Sequence, residues 1–436
     1  MSSKIKIGTR KSELALTQTG LVAKALLQKN YESEICHIVT AGDKDLRPFQ
    51  NIIGDGFFTK EIERNLLRKK VDIAVHSSKD LPSQTHKDLP WLAFDNRESP
   101  ADVLIIASQN LISTDPLKIK DGLVIGTSSP RREYQLKKLF PNAKIQSIRG
   151  NVPTRIEKVL KQEVDATVLA MAGIHRLQLE KDIASKNLKI IPLPFVTAPC
   201  QGILGVQARA SHKKVIDAIA NKELTEIAKA EKTILAMLGG GCHLAVGAHI
   251  EKVNSEYNLD FYFHDTQKEY EFKLKANTLD LLLRSFFTNF LGAPQGGRVI
   301  LGQSLQHQLK GAKKLAQSGF QVLPWAPREV LPTWQIDEFE KTHDTFSQMD
   351  ALIFTSQFSV RIFMNEFISL YPELLDTLKK KTIWSIGPAT LAELKDYGIE
   401  NVRIPFESHG ESLLAELNAQ YPLFVGTKDA VILSLL

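Results

Sequence analysis

The feature that most constrains this chain is a hand-over that occurs twice. An apolar run ends in Gly-Thr and passes straight into an amphipathic stretch, as KIGTRKSEL (6–14) and again as VIGTSSPRRE (124–133). A second pair follows the same order, KKVDIAVHS (69–77) and QEVDATVLA (162–170). KIKIG (4–8), EICHIVT (34–40) and DIAVHS (72–77) read as strands. SELALTQTGLVAKALLQKN (12–30), with Ser12 as N-cap, and FTKEIERNLLRKK (58–70) have helical spacing. Strands alternating with helices imply a largely parallel sheet. Because the pattern repeats, the first half is expected to be two similar α/β domains around a cleft.

Further along, VPTRIEKVLKQE (152–163) is a predicted helix, and VDATVLAMAG (164–173) a strand entering a small-residue turn. Past residue 213, NKELTEIAKAEKTILAML (221–238), polar strands around 256–275 and TLDLLLRSFFTNFL (278–291) form a small α+β domain. GAPQGG (292–297) reads as a linker. RVILGQ, QVLPW, DALIFTS, TIWSIG, NVRIP and DAVILSLL then read as strands of a C-terminal α/β unit.

No run of eighteen apolar residues occurs among the 436, so no membrane span is expected. The start, MSSKIKIGTRKSELAL, lacks a signal-peptide core, which makes the cytoplasm the expected location. Cys36, Cys200 and Cys242 are too few for a disulfide framework, and without a C-x-x-C pair no metal site is expected. Residues 294–436 hold 13 basic and 16 acidic side chains, leaving 42 against 33 in the remainder. The basic excess of the first two-thirds suits an anionic partner. A nucleic-acid partner is not expected, since no aromatics interleave with the arginines.

The hand-overs carry the chemistry. A strand end feeding a helix start presents N–H groups to an anion. Arg10 and Ser12 stand at one, and Thr127, Ser128, Ser129, Arg131 and Arg132 at the other. Capping serines with solvated arginines would leave the same trace at either site alone. Arg149 at a predicted strand end, Arg155 in the next first turn and Arg176 in AMAGIHRL add to the set. Such density suits a ligand with several carboxylates. Asp80 is the one carboxylate among these cations, and could stabilise a developing cation or move a proton. As a turn residue before Leu81-Pro82 it has an equally plain reading, and so do His76 and Lys79. His86 is expected at the surface and Cys36 in the core, with Cys200 structural. Cys242 follows Gly239-Gly240-Gly241, a placement that suits either a thiol engaged in covalent chemistry or a chance cysteine in a loop.

These segments together resemble porphobilinogen deaminase, also called hydroxymethylbilane synthase. IGTRKSELAL, GDGFFTKEIE, DIAVHSSKDLP, GTSSPRR, IRGNVPTR and LGGGC carry the resemblance, from about residue 4 to 290. It implies two periplasmic-binding-protein-like α/β domains, 1–97 plus 197–213 and 98–196, and a third domain, 214–292. It implies a monomeric transferase of heme biosynthesis that joins four porphobilinogen molecules into hydroxymethylbilane and releases ammonia. A dipyrromethane cofactor, made from two pyrrole units, would be bound by thioether to Cys242. Asp80 would be catalytic. Lys79, Thr127, Ser128, Ser129, Arg131, Arg132 and Arg149 would hold the cofactor, and Arg10, Ser12, Arg149, Arg155 and Arg176 the substrate. Asp55, Gln207, Lys232 and Ala245 depart from the usual lysine, glutamate, arginine and proline.

Residues 298–436 resemble part of uroporphyrinogen-III synthase, through DALIFTSQFSV, SIGPATLAELKDYGI and ESHGESLLAEL. Thr355, Ser356 and Thr390 would either contact a tetrapyrrole or cap helices. A fusion that also cyclises hydroxymethylbilane to uroporphyrinogen III is the alternative activity. A non-catalytic module binding a small polyanion is the alternative class, and it would need neither Cys242 nor a chromophore.

Overall fold

The paired motifs lie at equivalent places in two sheets of identical topology. The computed structural model describes residues 4–40, 59–83, 85–113, 115–238, 244–265, 268–291, 298–302, 321–325, 340, 343–344, 346–348, 351–354 and 356–405. Cys242, Asp55, Thr355, the 292–297 segment and DAVILSLL lie outside them. In sheet 1, β1 (Ile5–Thr9) runs parallel to both β2 (Ser33–His37) and β3 (Ile73–Ser77). β10 (Leu204–Ala208) lies antiparallel between β3 and β4 (Trp91–Phe94). In sheet 2, β6 (Val124–Gly126) runs parallel to β7 (Lys144–Gln146) and β8 (Ala166–Ala170). β5 (Asp102–Ala107) lies antiparallel between β8 and β9 (Leu188–Pro192).

The sheets therefore match strand for strand, β2-β1-β3-β10-β4 against β7-β6-β8-β5-β9. Each is a mixed sheet, because one antiparallel strand is supplied across the boundary between lobes. The alternation of side chains explains why DVLIIA is apolar after its opening Asp102. Val103 and Ile105 enter one core with Ile148, Ile156 and Leu169; Leu104 and Ile106 enter another with Ile125, Leu136 and Val168. In lobe 1, Val22 and Leu26 of helix Glu13–Gln28 pack on Ile7, Ile73 and Val75.

Two crossovers, 95–101 and 193–203, join the lobes and meet where Glu98 N donates to Gly202 O at 3.1 Å. Gly202 has φ +88, and a Cβ there would stand 2.2 Å from Glu98 O. Backbone cannot give way as a flexible side chain can. Gly202→Ala is expected to destabilise the chain by about 2–5 kcal/mol, strain and overlap together. Thermal unfolding that leaves the melting temperature unchanged would refute that.

β11 (Ala245–Val253), β12 (Glu256–His264) and β13 (Glu269–Ala276) form an antiparallel sheet. Helices Lys222–Met237 and Leu279–Leu291 cover it, with Ile234, Phe261, Phe286, Phe287 and Phe290 at the centre. This domain docks on helix Pro130–Leu139 through stacked Tyr134 and His264 rings, and through Lys138 paired with Glu269 and Glu271.

The chain falls into two units: Met1–Val39, Leu46–Gln50 and Asn65–Leu331 in one, and Thr40–Asp45, Asn51–Arg64 and Pro332–Leu436 in the other. In the second, β16 (Ala351–Phe354), β17 (Thr382–Ser385) and β18 (Val402–Arg403) form a parallel sheet. Phe354, Phe363 and Phe367 pack beside it. Ser356 caps helix Gln357–Ile362 within a capping box, and Thr390 is buried in helix Pro388–Asp396. In the first unit, β14 (Arg298–Gly302) pairs in parallel with β15 (Gln321–Trp325).

Candidate active site

The site is built where β3 and β6 end. The β3 chain leaves the sheet in a tight turn, Ser78–Asp80, after the half-buried Ser77. Three contacts pin it: Ser78 N donates to Ile203 O at 2.9 Å, Leu81 N to Ser78 O at 3.2 Å, and Lys232 Nζ to Leu81 O at 2.5 Å. Lys79 and Asp80 are half-buried on this turn. Burial, with Arg132 and Arg131 nearby, brings the Lys79 amine down to about 8 against the opposing pull of Asp80 and Asp102. Lys79 is thus charged at neutral pH and loses its charge as pH rises past 8. A lysine that holds an anionic group would loosen its grip over the same range, with affinity for that group falling about tenfold. Lys79→Arg should flatten that limb; a limb retained in steady-state pH profiles would assign it elsewhere.

Behind the turn, His76 is buried and neutral, its pKa pushed down to about 4 by burial. It is therefore no acid or base for neutral-pH chemistry.

Across from the turn, β6 hands over to helix Pro130–Leu139. Ser129 caps it by accepting from Arg132 N at 3.5 Å, and Thr127 Oγ1 accepts from Ser129 N at 3.2 Å. Ser128 Oγ donates to Ile148 O at 2.6 Å. Proline at the first position costs no hydrogen bond. Arg131 and Arg132 in the first turn are both buried, and both bind Asp102. Burial alone would raise that carboxyl; the two guanidinium groups hold it well below the usual carboxylate range.

Arg149 and Arg155 complete the group. Arg149 does not end a strand: β7 stops at Gln146, and Arg149 sits in the irregular segment before helix Val152–Leu160. Arg155 Nε donates to Gly150 O at 2.9 Å. Burial, then Arg132 and Arg149, bring its guanidinium down to about 10. Its charged neighbours are cations, the condition an anion relieves. Among the described residues, Lys79 thus stands near Asp80, Asp102, Arg131 and Arg132, and Arg155 near Arg132 and Arg149. Guanidinium and ammonium groups brought together in this way fit a ligand that carries several carboxylates, such as a dipyrromethane.

Arg176 reaches its place by a different route. The small-residue stretch expected as a turn is helix Met171–Leu177, because β8 passes into it without a loop. Arg176 lies in its last turn, where a cation suits the dipole, and its Nη2 donates to Gly202 O at 2.7 Å. Glu98 is the charged group acting on it. Ser12 caps helix Glu13–Gln28, with Arg10 half-buried just before it.

The expectations for His86 and Cys36 need correction, whereas Cys200, Gln207 and Ala245 contradict none. His86 is buried, its Nδ1 accepting from Asp88 N at 3.2 Å. Cys36 is half-buried, since β2 is an edge strand. Cys200 is fully enclosed at φ +61, and burial pushes its thiol up to about 12. Gln207 is buried beside His76, and Ala245 begins β11. Asp102, Gln201 and Glu98 escaped the sequence reading. The signal available was a carboxylate opening a wholly apolar run.

A model described as porphobilinogen deaminase, dipyromethane cofactor binding domain, matches residues 5–217. One described as uroporphyrinogen-III synthase HemD matches residues 310–433. Porphobilinogen deaminase of Alkaliphilus metalliredigens is 38% identical over 261 residues, 58% of this chain and 80% of that protein. That of Fusobacterium nucleatum is 40% identical over 279 residues, 62% of this chain and 90% of that protein. An ancestral arginine-binding protein bound to arginine aligns at 14% identity and TM-score 0.31, covering 53% of this chain and 93% of that one, too loosely to bear on the site. This chain belongs to the porphobilinogen deaminase family.

Proposed function

We propose that Asp80 is the catalytic carboxylate with which this chain joins four porphobilinogen molecules into hydroxymethylbilane, releasing ammonia at each addition. The observation that carries the assignment is its position on a pinned turn beside Lys79, which also has Arg131 and Arg132 nearby. As ammonia leaves, positive charge builds on the substrate's pyrrole nitrogen, and a fixed carboxylate stabilises it. The same oxygens take and return a proton.

Lys79, Arg131, Arg132, Arg149 and Arg155 hold acetate and propionate arms, with Thr127, Ser128 and Ser129 lining the same strand end. Arg10, Ser12 and Arg176 complete the substrate side in this reading. When bound through Cys242, dipyrromethane supplies the ring carbon onto which the first porphobilinogen is added. The reading divides the catalytic part into 1–97 plus 197–213, 98–196 and 214–292, and it takes the enzyme as a cytoplasmic monomer. The purified chain should exceed its 48.7 kDa sequence mass by one dipyrromethane unit and consume porphobilinogen. A bare-chain mass with full turnover would overturn the reading.

The match over 310–433 favours a second activity, closure of hydroxymethylbilane to uroporphyrinogen III within 298–436. Supplying hydroxymethylbilane and assaying for that isomer decides it.

A further inference from the structure

Asp102 opens β5 and is fully enclosed. Its Oδ2 accepts from Arg131 Nη1 at 2.6 Å. Its Oδ1 accepts from Arg132 Nε at 3.0 Å, Arg132 Nη2 at 2.7 Å and Gln201 Nε2 at 3.0 Å. Gln201 comes from the second crossover, and its Nε2 also donates to Pro100 O of the first at 2.7 Å. Backbone carbonyls complete the frame: Arg131 Nη1 donates to Val196 O and Arg132 Nη1 to Val168 O, each at 2.9 Å. A planar guanidinium fixed along one side presents its remaining donors in one direction only.

We infer that Asp102 is a positioning residue for the reaction: it aims Arg131 and Arg132 at the pyrrole carboxylates, with Gln201 tying its own carboxylate to the crossovers. The inference rests on reading the cation cluster as the holder of those carboxylates.

Replacing Asp102 sets two effects against each other. Loss of a negative charge beside the cluster strengthens its pull on anions. Loss of aim weakens it. A misplacement of about 1 Å costs roughly a hundredfold at a reacting site, so aim prevails, and the sign of the change separates the two.

Asp102→Asn in the full chain is the test, read by intact mass for cofactor loading, by KM and kcat for porphobilinogen, and by melting temperature. The loaded fraction should fall, and KM should rise about tenfold or more, with kcat falling less. Should that variant not fold, Gln201→Met leaves the Asp102 charge and the Gln201 backbone contacts in place. It should raise KM in the same direction by a smaller factor. Unchanged or lower KM with full loading, or a lowered melting temperature alone, overturns the inference. A wild-type chain lacking the mass increment or porphobilinogen turnover overturns the underlying reading instead.

Discussion

Asp80→Asn is expected to lower turnover by about a hundred- to ten-thousandfold while the fold and the cofactor increment persist. The amide keeps the shape of the carboxyl group but carries no negative charge to stabilise the substrate's ring nitrogen. It also cannot accept and return a proton at neutral pH. The contacts that pin the turn are made by Ser78, Leu81 and Lys232, so none is lost. Rapid-quench turnover of porphobilinogen, beside intact mass, gives the answer. Turnover within about threefold of wild type would remove Asp80 from the role, because a general acid–base group contributes far more than that.

Cys242→Ser should bring turnover to background and leave the protein at its bare sequence mass. A thioether forms through a thiolate, and a serine hydroxyl is far less acidic and a weaker nucleophile. The effect is larger than that of Asp80→Asn, since the anchored primer would be missing altogether. A serine variant that still carried the increment would place the attachment on another residue. Full turnover by an unloaded variant would instead favour the polyanion-binding reading of the cleft over the transferase.

Much of the architecture was legible in local pattern. The Gly-Thr hand-overs mark β1 and β6, the VDIAVHS and VDATVLA runs mark β3 and β8, and Ser12 acts as the cap its position foretold. The cations at these strand ends were legible for the same reason, since a hand-over is a local event. What failed depends on pairing across the chain. Nothing within ten residues of Asp102 announces that Arg131, Arg132 and Gln201 will converge on it. Arg176 was misplaced because β8 enters its helix without punctuation. His86 was misjudged because its burial depends on packing that the polar residues beside it do not reveal.

The exchange of strands between the lobes has a consequence for synthesis. Sheet 1 holds β10, residues 204–208, between β3 and β4. While the nascent polypeptide is shorter than that, the first lobe has a gap in its middle, with β3 and β4 each showing an unpaired edge. An N-terminal fragment cut before Leu204 would carry that defect permanently and expose two sticky borders to aggregation. Completion of the first lobe therefore waits on translation through the whole of the second.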